Sequence, residues 1–251
     1  MIHYGLDGRA ALVTGAGSGI GRASAIAFAR SGASVMVSDV NEVGGAETVA
    51  MIEAAGGKAQ FCRCDVGNGD DIAALVDATV AAFGRLDCAF NNAGINNLAA
   101  DEYEDAVWER AIAVNLSGVM RCMREEARVM LPAGGGAIVN TASINGLVGN
   151  PAQPAYTAAK HGVVGLTRHA ALRWATQGIR VNAVCPGVIA TAMTAPLVEN
   201  PDMRKVVEAM TPMGRFGTPE DIAEAVVWLC CDAAGFVTGH PMVIDGGATA
   251  V

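Results

Sequence analysis

The sequence predicts an α/β fold: a doubly wound, seven-stranded parallel sheet with helices on both faces. Three observations carry this. Short apolar runs rich in Val, Ile and Ala alternate with longer helical stretches along the chain, as they do when strands are joined by crossover helices. These runs are apolar at successive positions rather than at every second one, as in strands covered on both faces. A glycine-rich turn follows the first run and opens a helix.

Strands are expected at Ala10–Thr14, Ser34–Asp39, Ala59–Asp65, Leu86–Asn91, Ala137–Ala142, Arg180–Cys185 and Met242–Asp245. Helical stretches lie near 19–31, 42–55, 69–83, 103–130, 154–177 and 219–232. Seven strands at this spacing use up the 251 residues. The chain therefore reads as a single domain, 1–251, without a linker, repeat or low-complexity tract. The segment 188–218 carries Pro196, Pro201 and Pro212, with Pro219 just beyond, and reads as the least regular part. A connection this long in a compact domain suggests a lid over a site.

Composition narrows the function classes. With 52% hydrophobic and 17% charged residues, the chain can bury a large core and is not a disordered segment. The net charge of −8 argues against nucleic acid or an anionic membrane as partner, because both attract basic surfaces. No apolar run approaches the ~20 residues of a membrane span. The seven cysteines (Cys62, Cys64, Cys88, Cys122, Cys185, Cys230 and Cys231) include no C-x-x-C pair and follow no leader segment. They suggest free thiols in the cytoplasm. Cys62 and Cys64 have no second ligand pair, so no metal site is expected. Glycine accounts for 31 residues, well above the usual ~7%, and this excess requires a reason.

Part of the reason is the loop Thr14-Gly15-Ala16-Gly17-Ser18-Gly19-Ile20-Gly21. Glycines let a backbone approach a ligand closely, and a helix N-terminus offers N–H groups and a positive dipole end to a pyrophosphate. The common dinucleotide fingerprint is G-x-G-x-x-G; here the spacing is G-x-x-x-G-x-G. Asp39 ends the second strand, an acid at the distance along the chain where ribose hydroxyls are bound. It would repel a 2′-phosphate, and neither Val40 and Asn41 nor the loop at 15–19 supplies a cation. NAD is therefore the expected cofactor, in preference to NADP.

Tyr156 and Lys160 form an i, i+4 pair at the start of a helix, which places both side chains on one face. A free phenol titrates near ~10, and a neighbouring cation lowers that value. The pair suits acid–base catalysis on an alcohol or carbonyl.

These residues together resemble the short-chain dehydrogenase/reductase family. The loop at 14–21, Asn91-Asn92-Ala93-Gly94, Asn115, Ser143, Tyr156-Thr157-Ala158-Ala159-Lys160 and Pro186-Gly187 occur in the family's order along the whole chain. The resemblance implies a Rossmann fold and hydride transfer between a substrate carbon and nicotinamide. It also implies roles. Tyr156 would exchange the proton, Lys160 would lower its pKa and bind the nicotinamide ribose, and Ser143 would hold the substrate oxygen. Asn115 would anchor a water joining Lys160 to solvent. Cofactor contacts would come from Gly15, Ser18, Gly19, Ile20, Gly21 and Asp39, then from Asp65 and Val66 at the adenine, and from Asn91, Ala93 and Gly94. Pro186, Gly187, Ile189 and Thr191 would lie at the nicotinamide, with Thr191 on its carboxamide.

For the substrate, Asn145, Val148, Met193 and Leu197 are candidate pocket residues, largely apolar and adaptable. No arginine lies between Arg180 and Arg204 to meet an anionic head. A neutral, alicyclic or otherwise apolar secondary alcohol or dihydrodiol is therefore expected. A 3-oxoacyl-[acyl-carrier-protein] reductase is the alternative, weakened by Asp39 and by the uncharged stretch Leu131–Gly136. Enoyl reductases space the tyrosine and lysine differently. A non-catalytic dinucleotide sensor would usually lack the tyrosine, lysine or serine present here. The family's long helices pair across two-fold axes, so Met120, Met123, Leu172 and Trp174 are candidate contacts in a homotetramer.

Overall fold

The structure is a computed structural model that describes residues 3–96 and 103–250. Its strands are β1 Ala10–Thr14, β2 Ser34–Asp39, β3 Lys58–Arg63, β4 Cys88–Asn91, β5 Gly136–Thr141, β6 Ile179–Pro186 and β7 Pro241–Ile244. They form one sheet in the order β3-β2-β1-β4-β5-β6-β7, and every neighbouring pair is parallel. The helices are α1 Gly19–Arg30, α2 Glu42–Ala54, α3 Gly69–Phe83, α4 Asp105–Ile112, α5 Val119–Met130, α6 Pro154–Trp174, α7 Ala195–Glu199, α8 Pro201–Met210 and α9 Pro219–Cys230.

The unbroken apolar runs are explained by two cores, one on each face of the sheet. Side chains alternate across a strand. Ala11 and Val13 of β1 join Phe28 of α1, Ile52 of α2 and Ile222 of α9 on one face. Leu12 between them joins Ile72 of α3, Met123 of α5 and Val163 of α6 on the other. Burying each such side chain is worth about 1.5–3 kcal/mol, so neither face tolerates polar substitution and the register is pinned.

Three expectations are corrected. β3 stops at Arg63 instead of reaching Asp65, because the Asp65 carboxylate accepts the Gly67 N–H at 2.8 Å and turns the chain. The segment 188–218 is largely helical. Pro196 is the second residue of α7, and Pro201 opens α8. The first turn of a helix has spare N–H groups, so a proline there initiates rather than breaks; Asn200 caps α8 by accepting from Asp202 and Met203. The stretch 103–130 is not one regular helix. α4 and α5 are joined by a π-helical turn, Ala113–Gly118. At Gly118 a Cβ would come within 2.8 Å of the Val66 carbonyl oxygen, so this turn is pressed against the end of β3.

A polar network lies inside the second core. The Asn91 carboxamide donates to Glu126 Oε2 (3.1 Å) and Asn140 Oδ1 (3.0 Å), and Asn140 donates to Thr167 Oγ1 (3.0 Å). It ties β4 and β5 to α5 and α6. Glu126 is fully buried, and desolvation pushes its carboxyl up to about 8. An unfolded glutamate titrates near ~4.3, so the folded state holds the proton more tightly. The resulting stabilisation is complete below about pH 4 and is lost as the pH rises towards about 8. Glu126→Gln should flatten the urea-unfolding stability between pH 5 and 9. At pH 9 the variant should be more stable than the parent by a few kcal/mol.

Candidate active site

The carboxyl ends of the strands converge where the strand order reverses, between β1 and β4, and a crevice opens there. On one side is the loop between β1 and α1. Gly15 has φ +64°, and a Cβ on it would lie 2.8 Å from Ala93 Cα. At Gly21 a Cβ would meet the Gly15 carbonyl oxygen at 2.1 Å. The loop is thus folded onto the start of its own helix. Ser18 is the N-cap of α1, yet its hydroxyl makes no capping bond. The first-turn N–H groups therefore remain directed at the crevice, a cradle for an anion. Ile20 packs inwards against the first core, and Gly19 touches Thr191 Cγ2 at 3.2 Å from its Cβ direction.

Asn92 and Thr14 were not among the expected site residues, and they hold this loop in place. The Asn92 carboxamide donates to the carbonyls of Thr14 (3.0 Å) and Gly15 (3.2 Å). The Thr14 hydroxyl accepts from the N–H groups of Asn92 and Ala93, both at 3.1 Å. The only sequence hint was a polar residue at each strand end. Asn91, by contrast, turns its side chain into the interior network, so only its backbone faces the crevice side.

Asp39 stands at the end of β2, its Oδ2 accepting from Gly17 N (2.8 Å) and its Oδ1 from Asn41 N (2.9 Å). Arg22, on α1, is the cation at this end that the sequence reading missed. Its guanidinium is engaged by the Gly17 and Gly44 carbonyls, by Thr48 Oγ1 (3.0 Å) and by Glu47 Oε2 (2.8 Å). Asp65 Oδ2 pairs with Arg110 at 3.4 Å, and Val66 is buried beside Gly118.

On the other side of the crevice, Asn115 sits in the π-helical turn, fully buried. Its Oδ1 accepts from Ile95 N and its Nδ2 donates to Ile95 O, both at 2.8 Å. It thereby fixes the chain after β4, and a Cβ on Gly94 would lie 2.9 Å from Asn115 Oδ1 and 3.8 Å from Lys160 Nζ. A π turn displaces a side chain from the helical register, which brings Asn115 to this place.

Ser143 follows β5, accepts from Asn145 N at 3.1 Å and lies near enough to the Tyr156 phenol to favour its charged form. Lys160 is buried and donates to the Thr141 carbonyl at 2.6 Å, with its Nζ 5.4 Å from the Tyr156 ring centre. Burial lowers the Lys160 ammonium to about 8. Burial also raises the Tyr156 phenol, and the Ser143 hydrogen bond opposes that rise. Burial is the largest influence on both groups and moves each towards its neutral form.

At the end of β6, Pro186 leads into Gly187, where a Cβ would lie 2.9 Å from Asp245 Cα. The glycine here meets β7 chain rather than open crevice. Ile189 is buried and pairs with Gly217. Thr191 caps the 3₁₀ turn Ala192–Thr194 in a reciprocal bond set with Thr194. Cys185 is buried, and desolvation pushes its thiol up to about 11, which suits a space-filling role over a nucleophile.

A cleft of about 200 Å³ reaches Tyr156, walled by Ile95, Ala106, Val107, Ala111, Pro154 and Ala155, with Arg110 and Gln153. The expected pocket residues are placed otherwise. Val148 and Met193 are exposed, Leu197 is half-buried, and none of the three lines this cleft. Asn145 reaches it only through Gln153, to which it donates at 3.2 Å. α4 and the start of α6 supply most of the walls of this cleft, and Thr211 and Met213 of the 188–218 segment line a second one beside Gly187. The sequence reading overlooked Arg110. Its guanidinium pairs with Asp65 and lies against Gly67.

The chain was compared with known proteins. A sequence family described as enoyl-(acyl carrier protein) reductase matches residues 15–249. The 2,5-dichloro-2,5-cyclohexadiene-1,4-diol dehydrogenase of Sphingobium indicum is 44% identical over 250 residues, 98% of this chain and 99% of the relative. The cyclohexanol dehydrogenase of an Acinetobacter species is 46% identical, covering 97% of this chain and 96% of its own. The crystal structure of a short-chain type dehydrogenase/reductase from Mycobacterium marinum superposes with a TM-score of 0.94 at 36% identity, over 99% of this chain and 98% of that one. The chain belongs to the short-chain dehydrogenase/reductase family. It is an oxidoreductase.

Enzymes of this family use a nicotinamide cofactor, and the residues present fit one. The uncapped α1 N-terminus and the Gly15–Gly21 loop form a cradle for a pyrophosphate. With such a cofactor, Asp39 would stand at the adenosine end of the crevice and Tyr156 with Lys160 at the reacting end. Among the described residues no three His, Cys, Asp or Glu are grouped to hold a metal ion, and no helix is long and apolar enough to cross a membrane.

The Ser143 hydroxyl is the one group that counters the upward shift of the Tyr156 phenol. Ser143→Ala should therefore move the rising limb of the oxidation pH profile to higher pH. It should also lower kcat/KM about 10- to 100-fold, the worth of a hydrogen bond to a charged group. Both are read from initial rates between pH 6 and 10.

Proposed function

We propose that this enzyme interconverts a neutral alicyclic secondary alcohol and its ketone, with NAD as its cofactor. The observation that carries this reading is Tyr156, one helical turn from Lys160, lining a small and largely apolar cleft. Apolar walls select an uncharged ring by desolvation, and the Arg110 guanidinium is drawn aside to Asp65. The cyclic alcohols in the names of the Sphingobium and Acinetobacter relatives agree with such a substrate.

In oxidation, Ser143 holds the substrate oxygen beside the Tyr156 hydroxyl, and Tyr156 takes the hydroxyl proton. Lys160 is held by the Thr141 carbonyl beneath the phenol. In its protonated form it supplies the positive charge that favours phenolate. Asn115 acts on this pair by fixing Ile95 at the edge of the cleft. A bound nicotinamide supplies the hydride acceptor. The expected further contacts, at Ser18, Gly19, Ile20, Asp65, Val66, Ala93, Gly94, Pro186, Gly187, Ile189 and Thr191, form part of this reading.

NAD is favoured over NADP by Asp39, whose carboxylate can accept from ribose hydroxyls and repels a phosphate. Arg22 does not offset this charge, because its guanidinium is already satisfied by Glu47, Thr48 and two carbonyls. The test is a panel of cyclic and linear secondary alcohols, with cofactor reduction followed by absorbance. Cyclic alcohols should be oxidised fastest, and with NAD. Asp39→Ala should raise KM for NAD about 10- to 100-fold and change KM for NADP far less. An equal change for both would refute the assignment.

The seven thiols are free, which supports a reducing, cytoplasmic setting. Met120 and Leu172 present exposed apolar surface on α5 and α6, whereas Met123 is core. We infer that these two faces meet in a homotetramer. Sedimentation at micromolar concentration should give four chains, and Leu172→Glu should yield a smaller species.

A further inference from the structure

We infer that Gln153 is a specificity-determining residue that reads a second oxygen on the ring, so that the preferred substrates are alicyclic diols or hydroxyketones. The inference rests on the alicyclic-alcohol reading above and deepens it. Gln153 and Tyr156 line the same cleft, and Gln153 immediately precedes the helix whose third residue is Tyr156. Apart from these two and Arg110, the described residues of the wall are aliphatic.

Its carboxamide is held by three others. Gln153 Oε1 accepts from Asn145 Nδ2 (3.2 Å) and from Asn150 Nδ2 (3.4 Å), and Gln153 Nε2 donates to Asn96 Oδ1 (3.0 Å). Reversing the amide would set its N–H groups against two other N–H donors and its oxygen against an acceptor. The orientation is thereby determined by chemistry. The oxygen has two donors and is satisfied. The nitrogen has two N–H groups, and Asn96 takes one. Among the described residues no acceptor meets the other, and Tyr156 is the one further neutral side-chain donor lining the cleft. In an apolar cleft an unmet donor carries a desolvation cost, and an acceptor oxygen on the substrate removes it. A ring with one oxygen at Tyr156 and a second towards Gln153 satisfies both ends of the cleft.

A loop strut would also explain a bonded glutamine, and the two roles separate by substrate. Initial rates with NAD are compared for cyclohexanol and for the 1,2-, 1,3- and 1,4-cyclohexanediols, in the parent enzyme and in Gln153→Leu and Gln153→Glu. The glutamate keeps the acceptor and loses the N–H donor. The parent should favour one of the diols over cyclohexanol in kcat/KM, and both variants should lower that ratio about 10- to 100-fold. A ratio left unchanged while both rates fall together makes Gln153 a strut and overturns the inference. So does a parent that oxidises cyclohexanol as well as every diol. Oxidation of none of the four alcohols overturns the alicyclic reading itself, and this inference with it. If the leucine variant fails to fold, as seen by its thermal unfolding, the glutamate variant decides.

Discussion

The active site depends on a clamp between two strand ends. β1 and β4 are neighbours in a sheet whose order reverses at this point, and the loops beyond them diverge. The Asn92 carboxamide reaches back to two carbonyls of the first loop, while the Thr14 hydroxyl receives two N–H groups of the second. These bonds bring Gly15 so close to Ala93 that no side chain fits between. The excess of glycine has its explanation here: the backbone of one loop packs on the backbone of another, and the helix N-terminus behind it stays open to an anion. The remainder of the site is built from this edge, since the chain leaving the clamp runs through Gly94 to Ile95, between Asn115 and Lys160.

Burial shapes the proton chemistry that follows. Tyr156 and Lys160 are both shifted towards their neutral forms, because burial in this part of the cleft disfavours charge on either. The hydrogen bond from Ser143 works in the opposite sense on the phenol. In the proposed mechanism Ser143 has two tasks, to hold the substrate oxygen and to keep the base within reach of its working charge state. The Glu126 network shows the same force without a catalytic outcome. A carboxyl excluded from water keeps its proton, and the polar groups around it knit β4 and β5 to α5, which follows the turn that carries Asn115, and to α6, which carries Tyr156. In the proposed reading, the cleft beside α4 and its carboxamide cluster give this common machinery its selectivity.

Much of this was legible in the sequence because it is local. Unbroken Val, Ile and Ala runs disclose strands covered on both faces, and the i, i+4 pair of Tyr156 and Lys160 discloses a shared helix face. Gly15, Gly19 and Gly21 disclose a turn pressed onto a helix start, and Asp39 a charge at a strand end. Prolines misled in one segment, since the same residue that ends a helix also begins one, and only the register of Pro196 and Pro201 within α7 and α8 distinguishes the two. What the tertiary structure alone decided joins residues far apart in the chain. Asn91 turns to Glu126, Arg22 is consumed by Glu47, Arg110 is drawn to Asp65, and Gln153 is oriented by Asn96 and Asn145. No periodicity encodes these choices. A polar side chain at a given position is free, buried or bonded according to which distant group arrives beside it, and in a water-poor interior that arrival determines both its charge and its use.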